Sequence, residues 1–215
     1  MQSRTYLRRR GRITRGQARA LETDGERLVR VAGSPREMVD WFGRAAPLGV
    51  EIGFGMGEAL LQWAETCPDW NLVGIDVYQP GIGALLLGAQ RAQLSNLRVL
   101  AMDANQAVAE CFAPGSLQEV RIFFPDPWPK KRHHKRRLFN REFMHEVERV
   151  LQTGGRLWLA TDHGDYFAAM QEVLRESRRL RPVEEVQWEG AKTNYEVKYS
   201  ERGIEINRQV LEKFE

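Results

Sequence analysis

The segment LGVEIGFGMG at residues 48–57 is the strongest indication of the fold. It begins as a short apolar run typical of a buried strand and ends in three alternate glycines. Glycines at this spacing let the backbone turn tightly and come close to a ligand. Residues 58–65 then have the apolar spacing of a helix, so the stretch predicts a strand, a ligand-binding turn and a helix.

The same alternation continues along the chain. Strands are predicted at residues 48–54, 71–77, 97–102, 120–124 and 157–161, and helices at 58–65, 81–94, 106–112, 140–151 and 166–178. Five such units indicate a parallel sheet with helices on both faces. Two further strand-like runs, 183–188 and 204–212, have no long helix between them and are expected to pair antiparallel at one edge. The expected fold is an α/β sheet of seven strands.

The N-terminal part of the chain is arginine-rich. Residues 1–20 hold seven arginines and no acid, which predicts a basic, flexible arm over residues 1–33. SPRE at residues 34–37 then has the N-cap, first-turn proline and capping-box glutamate of a helix start. One folded domain is expected over residues 34–215.

The composition, 42% apolar and 28% charged, is that of a soluble globular protein. No segment approaches the roughly 18 apolar residues of a membrane helix, and no secretory signal precedes the domain, so we expect a cytoplasmic protein. Cys67 and Cys111 are too few for a disulfide framework or a zinc site and are interpreted as packing residues. No metal site is predicted.

Positive charge is concentrated in two stretches, residues 1–20 and 130–137. They hold 13 of the 32 Lys and Arg residues. The rest of the chain has the other 19 together with all 29 acids, so its net charge is about −10. A basic run can simply be a solvated face. For the N-terminal run, both this interpretation and binding of a polyanion are open. An acidic body with two basic patches nevertheless favours a polyanionic partner.

Acids stand at the ends of four successive predicted strands: Glu51, Asp76, Asp103 and Asp126. Ligands of open α/β sheets bind outside these carboxyl ends. The glycine spacing differs from the dinucleotide pattern G-x-G-x-x-G, and Glu51 would repel a pyrophosphate. An acidic rim instead suits S-adenosylmethionine, which carries ammonium and sulfonium groups, and argues against NAD or a nucleoside triphosphate.

Two of these acids have specific expected contacts. Asp76, at about the 20-residue spacing of a ribose-binding acid, can accept hydrogen bonds from both ribose hydroxyls. Asp103 could accept a hydrogen bond from the adenine amine. Asn105 lies two residues after it. Taken singly, Asp103 is better explained as a helix N-cap, but four acids in register are hard to explain in that way.

A proline-rich loop, FFPDPWPK at residues 123–130, follows the fourth strand. Its alternate prolines fix φ and stiffen the loop, so Asp126 and Trp128 suit holding a planar base. The cations of residues 130–137 suit phosphates. The alternative, a proline-capped strand with a solvated turn, becomes less favoured once the basic run is included.

Four motifs carry a resemblance to a known family: EIGFGMG at 51–57, PDPW at 125–128 with its basic run, Thr161-Asp162, and TNYE at 193–196. With them the sequence resembles the bacterial tRNA (guanine-N7-)-methyltransferases. The resemblance implies the Rossmann-like fold of class I methyltransferases, S-adenosylmethionine as cofactor and N7 of a guanine in tRNA as the methylated atom. It covers nearly the whole of the expected domain.

The resemblance also implies roles for individual residues. The cofactor site would comprise Glu51, Gly53, Gly55, Asp76, Asp103, Asn105 and Asp126. Substrate would contact Lys130, Asp162, Thr193, Asn194, Tyr195 and Glu196, and RNA would contact Arg132, His133, His134, Lys135, Arg136 and Arg137. Asp76 departs from the family, which usually carries the longer glutamate there. The RNA role of the N-terminal arm rests on its charge alone.

Asp126 is the expected catalytic residue. Guanine N7 keeps an unshared pair at neutral pH, so its methylation needs no general base and positioning should dominate. Asp126 would accept hydrogen bonds from N1–H and the exocyclic amine and stabilise the developing positive charge, with Asp162 a second candidate for that task. Methylation of an exocyclic amine and a non-catalytic RNA-binding module are the alternatives, and both a monomer and a homodimer remain open.

Overall fold

The computed structural model describes residues 11–24, 26–29, 38–184, 186, 188 and 203–214. In this part of the chain the strands are β1 Leu28–Val29, β2 Leu48–Ile52, β3 Asn71–Ile75, β4 Leu97–Leu100, β5 Leu117–Phe123, β6 Leu151–Thr161, β7 Leu180–Pro182 and β8 Asn207–Lys213. The α-helices are α1 Arg15–Thr23, α2 Met38–Phe42, α3 Glu58–Thr66, α4 Gln79–Arg91, α5 Ala104–Cys111, α6 Arg141–Val150 and α7 Gly164–Arg175, and a 3-10 helix spans Lys131–Arg136.

The strands form one sheet in the order β1-β4-β3-β2-β5-β6-β8-β7. All pairs from β1 to β6 are parallel, whereas β8 is antiparallel to both β6 and β7. The predicted parallel sheet with an antiparallel edge is therefore confirmed. The core divides between the two faces: α1, α3 and α4 pack on one face, and α2, α5, α6 and α7 pack on the other.

Two details of the sheet differ from the sequence prediction. The additional strand β1 pairs with β4 through two residues, which is too short a run to show any periodicity in sequence. The outer antiparallel strand β7 lies at Leu180–Pro182 and not at 183–188. Leu180 is its one buried side chain, and the flanking arginines hide the strand pattern.

Part of the predicted flexible arm is an ordered helix. Thr14 Oγ1 accepts a hydrogen bond from Gln17 N, and Gln17 Oε1 accepts one from Thr14 N, which makes a complete capping box at the start of α1. Ala20 is buried, and a Cβ atom at Gly83 of α4 would lie 2.8 Å from Gln17 Cβ. Residues 15–23 of the predicted arm thus form a helix, and the flexibility of the arm stays a prediction. Residues 1–10 lie outside the described residues.

Several smaller predictions can be placed on this fold. The SPRE motif at 34–37 lies outside the described residues, and α2 follows it. Both cysteines are unpaired, with Cys111 buried and Cys67 half-buried, as expected of packing residues. No helix in the described part of the chain is long and apolar enough to cross a membrane.

Candidate active site

The glycine turn after β2 is tight and borders open space. Gly53, Gly55 and Gly57 have φ values of 74°, 58° and 86°, in the left-handed region that favours glycine. A Cβ atom at Gly53 or Gly55 would meet none of the described atoms within 4 Å. On its other side the turn is closely packed, because a Cβ at Gly81 of α4 would lie 1.9 Å from Gly55 O. One side of the turn is thus open to a ligand.

Glu51 lies beneath this turn as a buried carboxylate. Its residue is 2% exposed, and Oε2 accepts no hydrogen bond from any described residue. Burial raises the pKa of Glu51 to about 7, Arg121 opposes this rise, and Asp76 and Glu58 add to it. A buried carboxylate oxygen without a partner is unfavourable, so it provides an acceptor for a cationic ligand.

Arg121 is the cation that opposes the rise in the pKa of Glu51. The two residues are directly paired across β2 and β5. The Arg121 side chain donates from Nε to Glu119 Oε1 at 2.6 Å, and its Cζ lies 3.6 Å from the ring centroid of Trp63. Arg121 was not among the predicted site residues, although Glu119 and Arg121 alternate in β5 and so face the same side of the sheet.

Asp76 ties the end of β3 to the glycine turn. Its Oδ2 accepts a hydrogen bond from Gly55 N at 3.0 Å, and its Oδ1 accepts from Val77 N at 2.7 Å and Tyr78 N at 2.9 Å. Burial raises the pKa of Asp76, these hydrogen bonds lower it, and the charge of Asp126 raises it further. Three of the four predicted rim acids, Glu51, Asp76 and Asp126, are therefore electrostatically coupled.

Asp103 is the N-cap of α5. Its Oδ1 accepts hydrogen bonds from Asn105 N at 2.9 Å and from Asn105 Nδ2 at 3.1 Å. The helix-cap alternative is thus confirmed for Asp103, and the side chain of Asn105 is committed to the same cap. Contact between either residue and adenine stays a prediction.

The proline-rich loop holds Asp126 between two unusual backbone conformations. Phe124 has a φ of 50° and Trp128 a φ of 44°, and for residues other than glycine such angles cost about 1–3 kcal/mol each. Phe124 N donates to Ala160 O at 2.8 Å, which fixes the start of the loop to β6. Asp126 itself is half-buried at the carboxyl edge of the sheet.

Trp128 does not stand free to stack on a base. It is buried, its ring meets His133 edge to face at 5.8 Å between centroids, and Arg136 Cζ lies 5.0 Å from the ring centroid. The prediction that the indole holds a planar base is therefore corrected. Trp128 instead packs the loop against the 3-10 helix that follows.

The basic run divides into exposed and buried side chains. Desolvation and the neighbouring cations lower the pKa of His133 from its usual value. Arg137 is buried, and its contact with RNA stays a prediction. Its Nε donates to Pro127 O at 2.9 Å, and its Cζ lies 4.7 Å from the ring centroid of Tyr166. The exposed members are Lys130, Lys131, Arg132, His134 and Lys135.

The remaining predicted substrate residues lie on two segments. Asp162 follows β6 directly and is half-buried at the same edge of the sheet as Asp126. Thr193, Asn194, Tyr195 and Glu196 lie outside the described residues. Within the described ranges, no group of three or more His, Cys, Asp or Glu side chains could hold a metal ion.

The fold has counterparts among solved methyltransferases. An rRNA methylase from Streptococcus thermophilus matches with a TM-score of 0.54 and 14% identity, over 79% of this chain and 88% of that one. A Haemonchus contortus phosphoethanolamine N-methyltransferase 2 in complex with S-adenosyl-L-methionine matches with a TM-score of 0.52 and 14% identity. The match covers 83% of this chain and 51% of that one. The methyltransferase family model Methyltransf_4 matches residues 45–213. The protein is thus a methyltransferase with the Rossmann-like class I fold.

Sequence relatives narrow this class to one family. The tRNA (guanine-N(7)-)-methyltransferase of Alkalilimnicola ehrlichii is 42% identical over 215 residues, covering 98% of this chain and 91% of that protein. The protein of the same name from Shewanella oneidensis is 44% identical over 172 residues, covering 80% of this chain and 72% of that protein. The chain belongs to the bacterial tRNA (guanine-N7-)-methyltransferase family, which confirms the resemblance seen in sequence.

Proposed function

We propose that this protein transfers the methyl group of S-adenosyl-L-methionine to N7 of a guanine in tRNA, in the cytoplasm. The observation that carries the proposal concerns Glu51 beneath the open glycine turn: its buried Oε2 accepts no hydrogen bond from any described residue. An anionic cofactor would be repelled at this position, whereas a cationic one supplies the missing partner. The names of the relatives, at 42% to 44% identity, favour tRNA guanine as the acceptor.

The residues present fit this cofactor. When bound, S-adenosyl-L-methionine supplies a methyl group activated by its sulfonium charge. Glu51 offers a carboxylate oxygen to the cationic part, and the backbone at Gly53 and Gly55 is open to close approach. Asp76 keeps acceptor capacity for one ribose hydroxyl, because its three hydrogen bonds fill three of the four lone-pair sites of the carboxylate and leave one on Oδ2.

Asp126 performs the positioning step on the base. Its carboxylate accepts hydrogen bonds from guanine N1–H and the exocyclic amine, which directs N7 toward the methyl group. As N7 becomes bonded, positive charge develops on the ring, and the fixed negative charge of Asp126 stabilises it. No proton leaves N7, so no residue is needed as a general base. Asp162, at the same edge, is the second acceptor available to the base.

The exposed cations of the basic run bind the RNA backbone. Lys131, Arg132 and Lys135 are exposed on the 3-10 helix that begins just after the proline-rich loop. Phosphate contacts of this kind set the position of an RNA on a protein without reading its sequence. Their place beside Asp126 would bring a bound tRNA to the reacting edge of the sheet.

Incubation with labelled S-adenosyl-L-methionine and unmodified tRNA, followed by nucleoside mass spectrometry, tests the proposal. The expected product is N7-methylguanosine. A guanosine methylated on its exocyclic amine would favour the alternative enzyme. Binding of tRNA without cofactor binding or any methylated product would instead identify a non-catalytic RNA-binding module.

A further inference from the structure

We propose that Arg137 is a positioning residue that holds the proline-rich loop, and with it Asp126, in the reactive arrangement. This inference rests on the function proposed above. Arg137 closes a run of cations that all resemble phosphate ligands in sequence. Its side chain packs against the domain and only 7% of the residue is exposed, so it presents less of its surface to an RNA backbone than the exposed cations of the run.

The first contact of Arg137 is with the loop itself. Its Nε donates a hydrogen bond at 2.9 Å to the carbonyl oxygen of Pro127, the residue directly after Asp126. Arg137 forms no ion pair with a carboxylate among the described residues. A buried guanidinium that is committed to a carbonyl oxygen acts as a tether for that carbonyl, because releasing it would leave both groups unsatisfied.

The second contact fixes Arg137 from behind. Its Cζ lies 4.7 Å from the ring centroid of Tyr166, and Tyr166 is fully buried in α7. The Tyr166 hydroxyl oxygen also accepts a hydrogen bond from Phe139 N at 3.2 Å. Tyr166 therefore holds both the Arg137 guanidinium and the backbone two residues after it. This arrangement links the loop to the core of the domain.

The loop needs such a tether because its backbone is strained on both sides of Asp126. Phe124 and Trp128 both have positive φ values, and conformations of this kind persist only where surrounding contacts impose them. Without Arg137 the Pro127 carbonyl is released, and the loop can relax toward ordinary angles. The Asp126 carboxylate then moves relative to the base, while the exposed phosphate-binding cations keep their places.

The test compares Arg137→Ala with Arg132→Ala in tRNA methylation kinetics. Misplacement of a catalytic group by about 1 Å costs roughly 10²-fold in rate, so we expect Arg137→Ala to lower kcat by about that factor. Its KM for tRNA and its affinity for S-adenosyl-L-methionine should remain close to those of the unmodified protein. Arg132→Ala, in the exposed part of the same run, should raise KM for tRNA with little loss of kcat.

Added guanidinium ion gives a readout that a general loss of stability would not produce. It should partly restore kcat in Arg137→Ala, because it can occupy the vacated space between Pro127 O and Tyr166, and it should not help Arg132→Ala. Arg137→Lys should retain intermediate activity, since lysine can reach the carbonyl but lacks the flat face that packs on the Tyr166 ring.

Several outcomes would overturn the inference. A raised KM with unchanged kcat in Arg137→Ala would make Arg137 a phosphate ligand. Unchanged kinetics would make it dispensable. Loss of the folded state in both Arg137 variants would show that it supports the whole domain and not the loop. If the unmodified protein makes no N7-methylguanosine, the proposed function fails, which is distinct from failure of the positioning role.

Discussion

Glu51 and Arg121 lie side by side on neighbouring parallel strands, yet Glu51 Oε2 accepts no hydrogen bond from Arg121 or any other described residue. Arg121 donates from Nε to Glu119 and packs on Trp63. Its charge still acts on Glu51 and opposes the rise in pKa that burial causes. Arg121 thus favours ionisation of the carboxylate while leaving that oxygen available to a ligand.

Cofactor affinity should depend on pH through Glu51. Because the pKa of Glu51 is raised from 4.5 to about 7, the carboxyl group is largely protonated in the free protein below that pH. A cationic ligand needs the ionised form, so affinity should fall about tenfold per pH unit below pH 7 and level off above it. Titration calorimetry in buffers of different ionisation enthalpy should show release of up to one proton below pH 7.

Glu51→Gln is the matched control for that pH dependence. Glutamine keeps the shape of the side chain but does not titrate, so the variant should bind S-adenosyl-L-methionine weakly and with little change between about pH 6 and about pH 8. A pH-independent affinity in the unmodified protein would contradict the role assigned to Glu51. Tight binding of NAD would revive the dinucleotide alternative.

The same carboxylate should make the ligand-free protein less stable at neutral pH than at mildly acidic pH. The folded-state pKa of Glu51 is higher than its unfolded value, so the folded state binds more protons between pH 4.5 and about 7. Its contribution to the free energy of unfolding therefore decreases as pH rises through this window, by at most about 3 kcal/mol. Urea unfolding of the unmodified protein and Glu51→Gln, compared at both ends of the window, measures this contribution.

Removal of the Arg121 charge should shift the pH profile of cofactor binding. In Arg121→Met the pKa of Glu51 should rise further, because the nearest opposing charge is lost, and the pH at which affinity levels off should move upward. Arg121→Lys should restore part of the original profile. Arg98→Met, which removes a buried arginine from β4, is the control and should leave the profile in place. An identical profile in Arg121→Met would exclude this coupling.

The exposed basic residues should govern RNA affinity and its salt dependence. Replacement of Lys131, Arg132 and Lys135 by Glu should raise KM for tRNA strongly and leave cofactor affinity unchanged, since the variant neutralises fewer phosphates and binding then releases fewer counterions. The slope of log affinity against log salt should become shallower by about one unit for each phosphate that is no longer neutralised. If both constants stay the same, this run is only a solvated face.

A control for that experiment carries the same change of charge elsewhere. Arg175, Arg178 and Arg179 are exposed at and beyond the end of α7, away from the carboxyl ends of the strands. Their replacement by Glu should have a much smaller effect on KM. Equal effects of the two triple variants would show that net charge, and not the position of the run, determines RNA binding.

The sequence predicted the sheet and the acidic rim because both follow from local patterns. The apolar runs, the glycine turn and the acids at strand ends all lie within short segments whose order determines their place in a parallel sheet. Capping by Thr14 and Gln17 was also visible in sequence, but the arginine-rich composition around it suggested a flexible arm. The helix at Arg15–Thr23 was not predicted because composition was given more weight than a specific capping pattern.

The division of roles within the basic run could not be predicted in the same way. Arg132 and Arg137 are chemically identical, and only Arg137 meets Tyr166, which lies 29 positions further along the chain. Trp128 likewise looks like a stacking platform until its contacts with His133 and Arg136 are known. Burial of a single side chain by distant residues is a property of the tertiary structure, and no periodicity in the sequence reports it.

Asp126 should be the residue whose loss most reduces turnover. The hydrogen bond from Phe124 N to Ala160 O and the packing of Trp128 on the 3-10 helix hold the backbone on both sides of it. Its charge contributes to the raised pKa of Asp76, so it lies within electrostatic reach of the cofactor site. A fixed acceptor that faces the guanine edge stabilises the transition state without reorganisation. Asp126→Ala should therefore lower kcat strongly, while tRNA binding is retained because the phosphate contacts lie elsewhere.

Asp126→Asn separates the charge of this residue from its shape. The amide preserves the size of the side chain, but it presents a donor toward the guanine donors and removes the negative charge that balances the developing cation. Loss of one such interaction is worth roughly 10²–10³ in rate, so kcat should fall by about that factor with KM for tRNA little changed. Single-turnover kinetics with saturating cofactor measure the effect on the chemical step directly. A near-normal kcat in Asp126→Asn would show that the charge is dispensable, and Asp162→Asn would then be the variant expected to carry the loss.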